Sequence, residues 1–197
     1  MYDSFFDFKS RPFSAAPHPA FYYPVESIET ARKNVSRCIE RSEGPALIVG
    51  SAGSGKTLLC RMIADEFRSS FDVVMLAVSR ICSRRTLLQA ILFEPGLPYR
   101  QMEEGELRLS LIDFLRKADT VTSGMLLIVD EAHSLPVPLL DELRMITNLV
   151  RDGKSRVRLV LAGMPELEEK FANPTLNSFS QRLAAWCYLE PLNRDQT

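Results

Sequence analysis

The sequence predicts a three-layer α/β/α fold in which helices cover both faces of a parallel sheet. Four short apolar runs carry the reading: ALIVG (46–50), VVMLAV (73–78), LLIVD (126–130) and RLVLAG (158–163). None alternates between polar and apolar residues, so each reads as a strand buried on both faces. Longer amphipathic segments separate these runs, and strands alternating with helices indicate a parallel sheet. Composition agrees: of 197 residues, 46% are hydrophobic and 25% charged, close to the average for soluble globular domains.

Residues 1–24 form a lead rich in aromatics and proline. Phe5, Phe6, Phe8, Phe13, Phe21, Tyr22 and Tyr23 are interrupted by Pro12, Pro17, Pro19 and Pro24. Prolines at this density block regular helix, and so many aromatics are expected to lie across the body of the domain. Helical spacing runs from Glu26 to Arg41, with Ile28, Ala31, Val35, Cys38 and Ile39 on one face. Further helices are expected near 56–69, 84–93, 104–118 and 138–151, and CYLEPL (187–192) is the candidate fifth strand. The chain shows no internal repeat and no low-complexity tract.

Charge and cysteine usage exclude several classes of protein. A net charge of −1 argues against a protein built mainly to coat nucleic acid. Cys38, Cys60, Cys82 and Cys187 lie far apart with no C-x-x-C pair, unlike a zinc site or a disulfide scaffold. They read as thiols in a reducing compartment. The longest apolar runs, such as Met125–Val129, fall far short of the roughly 20 residues that cross a bilayer. The opening MYDSFFDFKS has no basic flank before an apolar stretch, so no signal peptide is read and the expected location is the cytoplasm.

The strongest chemical signal is Gly50-Ser51-Ala52-Gly53-Ser54-Gly55-Lys56-Thr57, which satisfies the Walker A pattern G-x-x-x-x-G-K-[ST] between a predicted strand and a predicted helix. A triphosphate needs many N–H donors pointing inward at short range, and glycines let the backbone curl closely enough to present them. The helix that follows turns its positive end toward the anion. Gly50, Ser51, Ala52, Gly53, Ser54, Gly55, Lys56, Thr57 and Leu58 are therefore the candidate contacts for ATP. Lys56 would bridge the β- and γ-phosphates as a point charge, and Thr57 offers a hydroxyl to Mg²⁺.

A second signal agrees with the first. MLLIVDEAH (125–133) is an apolar strand ending in two acids, the Walker B pattern. Asp130 is placed to hold Mg²⁺ together with Thr57, and Glu131 to orient and deprotonate an attacking water. Together the motifs favour hydrolysis over binding alone. The Asp-Glu pair selects the P-loop branch with an additional strand between the Walker A and Walker B strands, giving sheet order 5-1-4-3-2. His133 completes the letters DEAH, but a helicase of that name needs a second motor domain for which 197 residues have no room. His133 is expected to be a hydrogen-bonding neighbour rather than a catalytic group.

The chain resembles the AAA+ ATPases of the general secretion pathway protein A family over essentially its whole length. The resemblance rests on FFDFKSRPFSAAPHPAFYYP (5–24), Gly50–Thr57, Asp130–His133, RLVLAGMPEL (158–167), SQRL (180–183) and LEPL (189–192). Transposition-regulator and origin-recognition ATPases look related. The resemblance implies a homo-oligomer with ATP at the subunit interface, and Arg182 in SQRL matches the arginine finger that reaches a neighbour's γ-phosphate. An ordinary surface arginine is the other reading of Arg182. Pro12 and Phe13 match linker residues that lie near adenine, with simple packing as the alternative.

Three departures from the family pattern matter. The family usually reads Asp-Glu-Ala-Gln where this chain has His133. The polar sensor residue expected at the end of the RLVLAG strand is missing, since Ala162, Gly163 and Met164 offer no side-chain donor. The sequence stops at Thr197, where a helical lid would begin. The expected organisation is thus a packed N-terminal segment and first helix (1–44), an AAA+ core (45–192) and the start of a lid (193–197). A family member would continue to a membrane span and often a peptidoglycan-binding module, making this chain the cytoplasmic part of an inner-membrane protein.

Three functions remain in view. The first is an ATPase that drives assembly of a secretion or pilus complex at the bacterial envelope. The second is a DNA-associated ATPase of transposition or replication, and the third a low-turnover nucleotide switch. Arg151, Lys154, Arg156 and Arg158, with a second group at Arg80, Arg84 and Arg85, are the candidate DNA contacts. A solvated basic loop explains them equally well, so nucleic acid is not the favoured partner.

Overall fold

A computed structural model describes residues 22–78, 81–117, 123–151 and 153–191. In chain order the elements are α1 (Glu26–Arg41), β1 (Ala46–Gly50), α2 (Lys56–Phe67), β2 (Asp72–Ala77), α3 (Arg84–Phe93), α4 (Glu104–Lys117) and β3 (Met125–Asp130). There follow α5 (Val137–Thr147), a small hairpin of β4 (Val150–Arg151) and β5 (Lys154–Ser155), then β6 (Val157–Gly163), α6 (Glu166–Phe171), α7 (Asn177–Ser180) and β7 (Ala185–Leu189). The main sheet has the order β2-β3-β6-β1-β7, and every pairing in it is parallel. Numbered as five strands in sequence, that is the expected 5-1-4-3-2.

Handedness then assigns helices to faces. The chain moves one way from β1 to β2 through α2, and back the other way from β2 to β3 to β6 through α3, α4 and α5. Right-handed crossovers in opposite directions put those helices on opposite sides of the sheet. The two cores record this. Ile48, Leu126, Ile128, Val160 and Ala162 pack with Val35 and Ile39 of α1 and Leu59 and Ile63 of α2. Their strand neighbours Leu47, Val49, Leu127, Val129, Leu159 and Leu161 pack with α3, α4 and α5 through Leu88, Leu111 and Leu143. Alternate residues of each strand feed different cores, which is why the strands read as unbroken apolar runs. The winding reverses at β1, and the crevice beyond the carboxyl end of such a strand is where α/β sheets bind ligands.

The α6 and α7 helices and the β4–β5 hairpin were not expected from the sequence, and two of the expected elements differ by more than two residues at one end. The helix expected over 138–151 ends at Thr147, with Asn148 as its C-cap. Its apolar periodicity ends with buried Ile146, and Gly153, at φ 73°, turns the chain into the hairpin instead. The fifth strand runs 185–189 rather than 187–192. It starts where the Ala184 N–H meets the Pro45 carbonyl at 2.8 Å, ahead of β1. Pro191, lacking an N–H, cannot continue the ladder.

The entry to β1 is sterically fixed. Glu26 and Glu29 complement the positive end of α1, and the helix closes with Ser42 in the left-handed region, φ 57°. At Gly44, φ 149°, a Cβ would lie 2.4 Å from the Arg182 carbonyl oxygen, so only glycine lets the SQRL segment approach this closely. Tyr22 donates its hydroxyl to Glu29. Tyr23 is exposed rather than laid across the body of the domain, and residues 1–21, including Pro12 and Phe13, lie outside the described residues, as do Arg80 and the expected start of a lid (193–197). Among the described residues no helix is long and apolar enough to cross a membrane.

Candidate nucleotide site

β1 delivers the chain to a loop spanning Ser51–Gly55, and α2 carries it away. Gly53 and Gly55 take φ of 79° and 89°, the left-handed conformation that glycine adopts without strain. Gly50 is required for a different reason: a Cβ there would lie 2.5 Å from Ser54 Oγ and 2.7 Å from the Leu189 carbonyl oxygen. α2 starts with no side-chain cap and no acidic residue in its first turn, whereas α1 and α6 each carry acids there. An acid at this terminus would repel an anion and compete for its N–H groups. The site keeps that end clear.

Inside the loop, the Lys56 ammonium is buried and donates to the Gly50 carbonyl at 2.9 Å and the Ser51 carbonyl at 2.8 Å. Ser54 Oγ is buried and, among the described residues, the one buried side-chain polar atom with no hydrogen-bond partner. A buried hydroxyl left without a partner costs free energy comparable to a lost hydrogen bond. An oxygen-rich anion seated in the loop would supply that partner. The donor set and the orphan hydroxyl therefore fit a phosphate group.

β3 brings the second half of the site alongside. Thr57 donates its hydroxyl to Asp130 Oδ2 at 2.6 Å, linking the first turn of α2 to the end of β3 across 73 residues of sequence. Asp130 is 4% exposed, and its other oxygen accepts the Glu131 N–H at 2.9 Å. A carboxylate and a hydroxyl in contact are the hard oxygen ligands that Mg²⁺ takes beside phosphate. Glu131 sits in the left-handed region, φ 57°, which is uncommon for a side chain larger than Asn. That turn ends the strand and leads the Glu131 carboxylate away from Asp130 into partial exposure, with 47% of its side chain accessible.

Beneath the site Cys60 is fully buried on α2. Burial pushes its thiol far above the ordinary range, and the Asp130 charge pushes it further against a smaller opposing effect from Lys56. The reactive thiolate is thus suppressed at neutral pH. Cys82 is exposed, while Cys38 and Cys187 are buried and shifted upward as well, Cys187 to about 11. Brief alkylation of the native protein is expected to modify Cys82 ahead of the other three, as read by peptide mass spectrometry. Early modification of Cys60 would mean that the floor of the loop opens in the folded state.

Two features extend the site beyond its motifs, the first of them His133, which is a hydrogen-bonding neighbour as expected. His133 lies against the end of β6, where Met164 donates its N–H to His133 Nδ1 at 3.4 Å. The Lys170 ammonium of α6 donates to the His133 and Leu135 carbonyls, the latter at 2.7 Å. The crowding at Gly163, where a Cβ would meet Leu167 Cδ2 at 2.8 Å and His133 N at 3.1 Å, was foreshadowed only by the missing polar residue in RLVLAG.

Arg182 is not near the loop of its own chain. It is exposed, in the turn between α7 and β7, and donates to Asn148 Oδ1. It therefore stands at the amino ends of the strands, one length of β1 away from Gly50, or about 16 Å at 3.3 Å per residue. The basic stretch is engaged with its own fold. Arg151 donates to the Arg116 carbonyl, Arg156 to the Leu115 carbonyl at 3.2 Å, and Arg158 to the Ile39 and Ser155 carbonyls at 2.8 and 2.7 Å. Arg84 lies 3.5 Å from Glu142, and Arg85 lies 3.9 Å from Glu103.

A parallel sheet of order 5-1-4-3-2, a Walker A loop on its central reversal and a Walker B acid hydrogen-bonded to it define a P-loop ATPase core of the AAA+ branch. Residues 39–171 match the family model described as AAA domain, and the chain belongs to that family. Over 194 residues it is 31% identical to general secretion pathway protein A of Aeromonas hydrophila, covering 98% of this chain and 35% of that protein. Among solved structures it is similar to the Aeropyrum pernix ORC2 protein in its ADPNP-ADP complexes (TM-score 0.69, 16% identity, 86% of this chain and 48% of that one). It is also similar to Cdc6p from Pyrobaculum aerophilum (TM-score 0.68, 20% identity, 98% of this chain and 50% of that one). The chain spans about a third of the length of the secretion protein and about half of the two solved chains.

Proposed function

We propose that this chain binds ATP with Mg²⁺ and hydrolyses it as one subunit of a homo-oligomer, and that turnover drives assembly of a secretion or pilus complex at the bacterial envelope. The hydrogen bond from Thr57 to Asp130 carries the chemical half of this reading, because it joins the two halves of a metal–phosphate site. The likeness over 98% of the chain to a secretion protein supports the biological half. Mg²⁺, when bound, neutralises phosphate charge; Thr57 and Asp130 would hold it. Lys56 exchanges its loop carbonyls for phosphate oxygens, and the N–H groups of residues 51–58 cradle the anion. Glu131 takes the proton of the attacking water. Arg182 of one subunit stabilises the charge that develops in the next.

A DNA-associated role has less support, because Arg151, Arg156 and Arg158 spend donors on backbone carbonyls of their own fold. Phosphate contacts would show as DNA affinity that falls steeply with salt. The nucleotide assignment is tested by Lys56→Ala. Loss of a charge-assisted hydrogen bond is expected to weaken ATP binding by about 10- to 100-fold, as read by titration with a fluorescent ATP analogue. Unchanged affinity in a folded variant would sink the assignment.

A further inference from the structure

We infer that His133 is a positioning residue, which orients the Glu131 carboxylate and ties it to the position of the β6–α6 corner. The inference rests on Glu131 being the proton acceptor. His133 is held on several sides. Its side chain is 13% exposed. Its Nδ1 accepts the Met164 N–H at 3.4 Å, its carbonyl oxygen is held by Lys170 of α6, and its own backbone N–H stands where any side chain at position 163 would intrude. Gly163 ends β6, Met164 follows it and Lys170 lies on α6, so the ring is clamped to that corner although it belongs to the β3 segment.

The second ring nitrogen faces the acid. Nε2 lies 3.6 Å from Glu131 Oε2. Because Nδ1 accepts an N–H, the neutral ring carries its proton on Nε2, as a donor directed at the carboxylate. Glu131 has no comparable restraint of its own, being half exposed and turned outward by a left-handed backbone. A donor fixed on one side of a half-exposed carboxylate favours one rotamer, which keeps the acceptor oxygen aimed at the water it serves. The distance is longer than a hydrogen bond, and catalytic contacts of this kind tighten in the reacting complex. A shift of the β6–α6 corner moves Met164 and Lys170, and with them the ring and the carboxylate.

The test compares His133→Phe, which keeps the ring shape, with His133→Gln, which restores a donor. His133→Phe is expected to lower kcat by about 10- to 100-fold, the usual loss when a residue orienting a reactive group is removed, with ATP affinity within about twofold of wild type. His133→Gln is expected to recover most of that loss. Single-turnover hydrolysis in a Glu131→Gln background supplies the decisive comparison, since His133→Phe should then cost nothing more. A full additional loss there, or a parallel loss of ATP affinity, makes His133 a structural residue and overturns the inference. Wild-type kcat in His133→Phe overturns it too. Wild-type turnover in Glu131→Gln alone would instead remove the reading of Glu131 on which the inference stands. The ring itself gives a readout free of activity: its ¹⁵N shifts should report an unprotonated Nδ1, and a protonated Nδ1 in the neutral ring contradicts the geometry.

Discussion

Glu131→Gln is expected to lower ATP turnover by about 10²- to 10⁴-fold, the range for loss of a general base, while leaving ATP binding intact. The substitution changes little else. The amide keeps the length and shape of the side chain, and a Gln fits the left-handed backbone at 131 no worse than a Glu. The Glu131 N–H to Asp130 Oδ1 bond is made by the backbone, so Asp130 keeps its contact and Thr57 keeps its bond to the other oxygen. With 47% of the side chain exposed, the change leaves no buried charge or cavity behind. Binding and chemistry should therefore separate. Steady-state turnover measures one and equilibrium titration the other, both at high subunit concentration. Unchanged turnover would remove Glu131 as the proton acceptor, and ATP binding with no detectable turnover in either protein would leave a nucleotide switch as the surviving description. Equal losses in both would mean that Glu131 serves the ground state.

The fold was legible because its signals are local and redundant. Strands buried on both faces show as unbroken apolar runs whatever their order, and Gly53 and Gly55 mark conformations other residues avoid. Helix α1 was readable to the residue from its apolar stripe. The end of α5 was not, since the basic stretch from Arg151 onward has no apolar period and gives no reason to stop at Thr147. Arginines that look like a solvated loop in sequence turn inward in the fold, where Arg158 lies half-buried against Phe71 and Ile39. Nothing in the spacing of RVR reveals that Arg156 meets a backbone carbonyl of α4 and Arg158 one of α1.

The site was legible in the same measure. Walker A and Walker B are contiguous patterns, so their residues could be named; their union through Thr57 and Asp130 depends on β3 lying two strands from β1, with only β6 between. The contacts that sequence did not reveal join elements whose neighbour relation is tertiary. His133 meets Met164 because β3 and β6 are adjacent and end together. Gly163 looks like a lost polar side chain in sequence; in space it is a position where a side chain does not fit.

Arg182→Ala is expected to lower turnover by roughly 10³-fold or more, as removal of arginine fingers does in other P-loop enzymes, without weakening ATP binding to a single subunit. Arg182 and Gly50 lie at opposite ends of β1, so one subunit cannot bring its own Arg182 to its own phosphate loop. Arg182 is exposed and bonded to Asn148, and Gly44 gives its backbone a fixed seat. Removing its side chain should cost the fold little. Arg182→Lys keeps the charge and loses the planar fork, so its turnover should fall between the two. Mixing separates action within a subunit from action between subunits. Glu131→Gln supplies the arginine without the base, and Arg182→Ala the base without the arginine. If each site is built from two chains, mixing two nearly inactive proteins restores hydrolysis at interfaces that pair an intact Glu131 with an intact Arg182. With random pairing in a head-to-tail ring those are about a quarter of the interfaces. A mixture no more active than its parts, or an Arg182→Ala subunit as active as wild type at every concentration, would leave Arg182 as a surface residue held by Asn148.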